Sequence, residues 1–243
     1  MPLTAHTIRP RRIVAVVAAA LAVFAGSFDT FQGTAPPRPA QPSAIEPCVT
    51  GTGVLLADLD ADGHRDRAFD PSGTGARLTI TFGTPSGDGR RVGVRELVGG
   101  TGHGKEDRLA VVADFDRDGW ADLLVTATGP WRGDDPIEPR LSELRRGPFS
   151  RTGRGHAPRH VGLGETRGLA VGDYNHDRYP DLAAFIYNGD GVYATHGLLG
   201  EKAAGIGSYT GKYAVDAEQT DDDTPDNMPT DGLSSFYPRC AGE

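Results

Sequence analysis

Aspartates stand at alternate positions in Asp114-Phe115-Asp116-Arg117-Asp118-Gly119-Trp120-Ala121-Asp122. They occupy positions 1, 3, 5 and 9 of a nine-residue loop, and glycine occupies position 6. Alternate residues of a tight loop can aim their side chains at one point. A hard cation such as Ca²⁺ takes roughly six to eight oxygen ligands. Gly119 gives the turn a backbone angle that a Cβ resists. Asp114, Asp116, Asp118 and Asp122 are therefore expected to supply side-chain oxygens, and Trp120, at position 7, its backbone carbonyl.

The pattern recurs. Asp58-Leu59-Asp60-Ala61-Asp62-Gly63-His64-Arg65-Asp66 repeats it in full, so Asp58, Asp60, Asp62 and Asp66, with the His64 carbonyl, form the same expected set. Asp173-Tyr174-Asn175-His176-Asp177-Arg178-Tyr179-Pro180-Asp181 keeps aspartate at 1, 5 and 9 and has asparagine at 3. Its expected ligands are Asp173, Asn175, Asp177 and Asp181, with the Tyr179 carbonyl. The loops start at 58, 114 and 173, so the periods are 56 and 59 residues, a spacing that marks a repeat architecture. Short apolar runs flank each loop, as in Leu109-Ala110-Val111-Val112 before the second and Leu123-Leu124-Val125 after it. Such runs read as buried strands, which predicts that each loop is the tip of a β-hairpin.

An EF-hand requires an acid at position 12. Phe69, Val125 and Ala184 stand there, which excludes it. The repeated D-h-[DN]-x-D-G-x-x-D pattern between two strands resembles the FG-GAP (VCBS-type) repeat of integrin α-subunits and related secreted bacterial proteins. The resemblance covers about residues 51–190, with Phe82-Gly83 as counterpart of the first dipeptide of the name. It implies β-propeller blades of four strands each, with calcium held in the hairpin loops. The fold expected is therefore all-β, a propeller-like array of about three blades, over approximately 50–105, 106–165 and 166–217. Cys48 to Cys240 spans 193 residues, about 3.4 periods, whereas propellers close with about four to eight blades. The array is then incomplete, or closed by a partial fourth blade, or completed by self-association.

The third loop departs from the other two. Arg178 replaces the glycine at position 6, where a left-handed angle costs a non-glycine residue about 1–2 kcal/mol. Asn175 removes one charge. The expected order of affinity is the second site about equal to the first, and both above the third.

Residues 1–25 read as a secretory signal peptide. Arg9, Arg11 and Arg12 precede a 13-residue apolar run, Ile13–Ala25, shorter than the roughly 20 residues a membrane span needs. Residues 26–47 hold five of the prolines and read as an extended linker without a core of its own. The folded repeat domain is placed at 48–243, with 218–243 as an acidic tail. Cys48 and Cys240 bracket it, and in a secreted chain the pair predicts a disulfide.

The chain carries a net charge of −8, and loss of residues 1–25 removes three arginines and no acid. An acidic chain is a poor partner for nucleic acid or an anionic membrane surface. Gly99-Gly100-Thr101-Gly102-His103-Gly104-Lys105-Glu106 nearly matches a phosphate-binding loop. Glu106 stands where the metal-binding hydroxyl belongs, and a strand rather than a helix follows, so no nucleotide site is expected. Neither Gly-x-Ser-x-Gly nor His-Glu-x-x-His occurs, and the seven histidines are scattered. The function expected is a secreted calcium-binding module for a protein or glycan. Less regular stretches such as 129–160 are the expected contact surface; within this one, Arg140–Arg146 reads as either a short helix or an outer strand, and Trp131 reads first as a packing residue and second as an exposed aromatic for a sugar ring. The alternative is a calcium-dependent polysaccharide lyase or hydrolase on the same scaffold, with His156, His160 and nearby arginines over a cleft.

Overall fold

The computed structural model describes residues 34–39, 41–100, 105–130, 133–207, 214–219, 228–229 and 232–242, with 214–219 described by backbone alone. The expected signal segment, Trp131 and residues 220–227 of the acidic tail lie outside them.

Among the described residues the protein is all-β, built from three successive antiparallel meanders. The first sheet runs β1 (Cys48–Val49), β2 (Leu55–Ala57), β3 (Asp66–Phe69), β4 (Thr79–Thr84) and β5 (Gly87–Gly93). The second runs β6 (Asp107–Ala113), β7 (Asp122–Thr128), β8 (Leu141–Arg146) and β9 (His156–His160). The third contains β10 (Glu165–Gly172), β11 (Asp181–Gly189), β12 (Val192–Leu198) and, after a small ribbon of β13 (Gly200–Glu201) and β14 (Gly205–Ile206), β15 (Ala214–Gln219).

Each metal-type loop is a hairpin tip, as its flanking apolar runs predict. The register is the same in all three. The residue before position 1 pairs with position 9: Ala57 with Asp66, Ala113 with Asp122, Gly172 with Asp181.

The inner strands of the second sheet, β6 and β7, are buried on both faces. Successive side chains of a strand point to opposite faces. Ala110 and Val112 of β6 therefore join Ile80, Phe82 and Val92 in one core, while Leu109, Val111 and Ala113 join Leu169, Val171 and Leu182 in another. This explains why the apolar run of β7 does not alternate; β11 in the third sheet reads the same way because its two faces are also buried. β4 alternates, with Ile80 and Phe82 fully buried.

One predicted strand ends early. The sequence reads as a turn at Ser86–Gly89 and a strand over Val92–Val98, but β5 already runs from Gly87 to Gly93 and Val94–Val98 forms a single helical turn, α1. The Glu96 carboxylate accepts the Gly93 N–H at 3.1 Å, and Val94, Leu97 and Val98 fall at helical spacing on the buried side. Arg145 fixes the end of this turn by donating to the Leu97 and Val98 carbonyls at 2.8 and 3.2 Å.

The two ends of the domain meet. Cys48 and Cys240 form a disulfide, with Cα atoms 5.0 Å apart and a sequence separation of 192. Beside it the Val49 N–H donates to Pro238 O at 2.8 Å, and the Cys240 N–H donates to Val49 O at 3.1 Å.

Candidate metal centre

Each loop is shaped by its own aspartates. The position-5 carboxylate accepts the position-7 N–H: Asp62 from His64 at 2.8 Å, Asp118 from Trp120 at 2.9 Å and Asp177 from Tyr179 at 2.7 Å. Asp58 and Asp114, at position 1, accept the N–H of Gly63 and Gly119 across the loop. The backbone turns left-handed twice in every copy. At position 4, φ is 59° for Ala61, 51° for Arg117 and 60° for His176; at position 6 it is 80° for Gly63, 91° for Gly119 and 71° for Arg178. The third loop thus keeps the shape of the others without their glycine.

The position-9 aspartates hold the loops to the sheets. All three are fully buried. One oxygen accepts the position-2 N–H: Asp66 from Leu59 at 2.6 Å, Asp122 from Phe115 at 3.1 Å and Asp181 from Tyr174 at 2.7 Å. The other oxygen accepts the N–H of a glycine beyond the hairpin: Gly83 at 2.7 Å, Gly147 at 2.8 Å and Gly200 at 2.7 Å. That glycine cannot carry a side chain. A Cβ would stand 2.5 Å from Arg65 O, 2.2 Å from Ala121 O and 2.3 Å from Pro180 O respectively, and each of these is the position-8 carbonyl. Phe82-Gly83 is visible in the sequence as a dipeptide, but Gly147 and Gly200 are not. The clamp closes over 17, 25 and 19 residues, so no fixed spacing marks it.

Two of the three loops gather ligand atoms. One carboxylate oxygen from each of Asp58, Asp60 and Asp66 lies within 4.8 Å of the others, and likewise for Asp114, Asp116 and Asp118. In the first loop, Asp58 Oδ1 and Asp60 Oδ1 are buried without a hydrogen-bond partner. Buried, unpaired carboxylate oxygens are costly unless a cation meets them, so this donor set fits a hard cation. Asp62, which contacts Arg151, and Asp122, which keeps both oxygens on backbone donors, stand outside their loops' groups, whereas Asp66 and Asp60, held by the same kinds of partner, belong to theirs. The third loop answers its own charge: Asn175 Nδ2 donates to Asp177 Oδ2 at 2.8 Å, although Asp173 Oδ1 remains buried and unpartnered.

Burial dominates the titration of these groups. It raises the pKa of Asp66 and Asp114 to about 7 and that of Asp181 to about 6, and lifts Asp122 well above the ordinary carboxylate range. Asp58, Asp60 and Asp116 are raised for the same first reason. Neighbouring aspartates add to the rise at Asp66 and Asp122, and backbone N–H bonds oppose it.

Arginines meet the outer oxygens. Arg151 contacts Asp60 at 3.0 Å and Asp62 at 3.1 Å, Arg146 contacts Asp116 at 3.3 Å, and Arg38 contacts Asp118. The proline-rich segment, read from sequence as an extended linker without a core of its own, touches both loops. Pro42 lies against Gly119, the Trp120 indole N–H donates to Gln41 O at 3.2 Å, and Ser43 Oγ donates to Asp58 Oδ2 at 3.3 Å. The prolines keep the segment extended, and the glycine at position 6 leaves room for it.

Comparison of the chain with protein-family models, with curated proteins and with solved structures gives no significant match.

Proposed function

We propose that this chain is a secreted calcium-binding module of FG-GAP type, with three propeller-like blades, that displays its irregular loops to a protein or glycan. The observation that carries the metal assignment is the pair of buried, unpartnered oxygens, Asp58 Oδ1 and Asp60 Oδ1, inside a converging carboxylate cluster. The donors are all oxygen, with no cysteine and no imidazole in either group, which selects a hard cation such as Ca²⁺. Asp58, Asp60 and Asp66 would hold one ion, and Asp114, Asp116 and Asp118 a second. Bound there, the ion would cancel carboxylate repulsion and stiffen the hairpin tip. The position-9 aspartates act first as clamps.

Support for a propeller-type array comes from the inner strands. Val49 of β1, Ala110–Val112 of β6 and Leu169–Val171 of β10 line one shared cavity of about 350 Å³. The turn after β3 ties two of these strands together, since Thr74 O accepts the Leu169 N–H and Gly75 O accepts the Ala110 N–H. The disulfide fits an oxidising, non-cytoplasmic location. No helix among the described residues is long and apolar enough to cross a membrane.

Isothermal titration with calcium, before and after Asp58→Asn with Asp60→Asn, tests the assignment. Loss of one of two binding events in that variant is expected. Unchanged binding refutes the first site.

A further inference from the structure

The second and third loops face each other across a cleft of about 500 Å³, closed on one side by the C-terminal turn Gly232–Ser235 and the residues after it. Its walls are unlike the rest of this acidic chain. Arg117 comes from position 4 of the second loop and Arg178 from position 6 of the third; Ser235, Phe236 and Tyr237 come from the C-terminal segment. The carboxylate in the wall, Asp114, is already engaged: its oxygens accept the N–H of Asp118 at 3.0 Å and of Gly119 at 2.9 Å. Arg117 lies over the Tyr179 ring, 5.2 Å from its centroid. Arg178 is exposed and makes no hydrogen bond or ion pair among the described residues.

Arg178 also sits where an arginine is a poor choice. Its φ of 71° is the left-handed angle that the other two loops give to Gly63 and Gly119. Backbone strain at a residue whose side chain has no internal partner points to a task for that side chain outside the fold. Two arginines lining one cleft with Ser235 and the half-buried Phe236 match a carboxylate carried on a sugar ring. The guanidinium groups offer forked donors to the carboxylate, and Phe236 offers a flat apolar face to the ring.

We propose that the cleft between the second and third loops binds a uronic acid unit of an acidic glycan, with Arg117 and Arg178 on its carboxylate and Phe236 against its ring. This rests on the calcium reading in one respect: an ion in the second loop neutralises Asp114 and leaves the cleft cationic.

The test measures binding of a hyaluronan tetrasaccharide, with neutral chitotetraose and triglutamate as comparisons. Arg178→Gly is the informative variant. It should raise the melting temperature, because glycine suits the angle, while weakening tetrasaccharide binding by about tenfold or more, the loss of one charge-assisted contact. Arg117→Gln should weaken binding similarly and leave the fold intact by circular dichroism. Calcium titration of the same samples reports the metal reading separately. Tetrasaccharide binding that needs both arginines supports the cleft whatever the calcium count. Absence of binding, even with both ions bound, overturns it. So do equal binding of chitotetraose or triglutamate and an Arg178→Gly variant that binds as tightly as the parent.

Discussion

Replacing Asp122 by alanine tests the clamp. Asp122 is fully buried, and its two oxygens accept the Phe115 N–H at 3.1 Å and the Gly147 N–H at 2.8 Å. Alanine leaves both buried donors without an acceptor. Each orphaned donor costs about 1–3 kcal/mol, so the pair costs about 2–6 kcal/mol. Removing the carboxyl also relieves the burial that raises its pKa, which works in the opposite direction. The net loss is therefore placed at about 2–4 kcal/mol. Asp62 is the comparison: it is exposed, and its backbone bond, to His64, is exposed too. Asp62→Ala should cost under about 0.5 kcal/mol. Urea unfolding followed by circular dichroism, in excess chelator, measures both. Chelator matters because the clamp is made of backbone donors and holds without metal. An Asp122→Ala variant that loses less than about 1 kcal/mol in chelator, or loses stability only when calcium is present, refutes the clamp.

Further expectations follow from the same geometry. Gly83→Ala, Gly147→Ala and Gly200→Ala should each destabilise by more than about 2 kcal/mol, because the new Cβ meets a backbone carbonyl; Gly63→Ala has open space and should lose about 1 kcal/mol, from its φ alone. Chemical unfolding of the four variants separates these outcomes. In chelator, stability should fall as pH rises from about 4 to about 7. The folded pKa values of Asp66, Asp114 and Asp181 lie above the ordinary 3.8, so the folded state binds more protons across that window, and their release on raising the pH removes stability. Saturating calcium, which takes the place of those protons, should flatten or reverse the slope of melting temperature against pH. Cys48→Ser with Cys240→Ser should cost up to about 4–5 kcal/mol in the chain-entropy account of a bridge spanning 192 residues, read as a lower urea midpoint.

What sequence showed and what it hid divide by distance along the chain. The hairpins were legible because their signal is local. Apolar runs stand on either side of a loop whose aspartates and glycine lie within nine residues. The strain at Arg178 was legible for the same reason, since its two sister loops carry glycine there, and its φ of 71° agrees. The Cys48–Cys240 bridge followed from an even count in a chain read as secreted. The clamp was hidden because its second half arrives from a glycine 17, 25 or 19 residues later, after hairpin turns of different length. Those aspartates looked like ligands equal to the rest, and only their burial and backbone partners set them apart. α1 was misread because Val94, Leu97 and Val98 are strand-forming residues, and the N-terminal bond to Glu96 decided otherwise. The proline-rich segment gives no periodic signal, so its packing on Gly119 and Trp120 had no trace in the sequence.

Native mass spectrometry of the protein in calcium, and after chelation, counts the ions directly. The account predicts two bound ions, reduced to one by Asp114→Asn with Asp116→Asn and again to one by Asp58→Asn with Asp60→Asn. A count of zero at millimolar calcium, or a count that neither pair of substitutions changes, contradicts it.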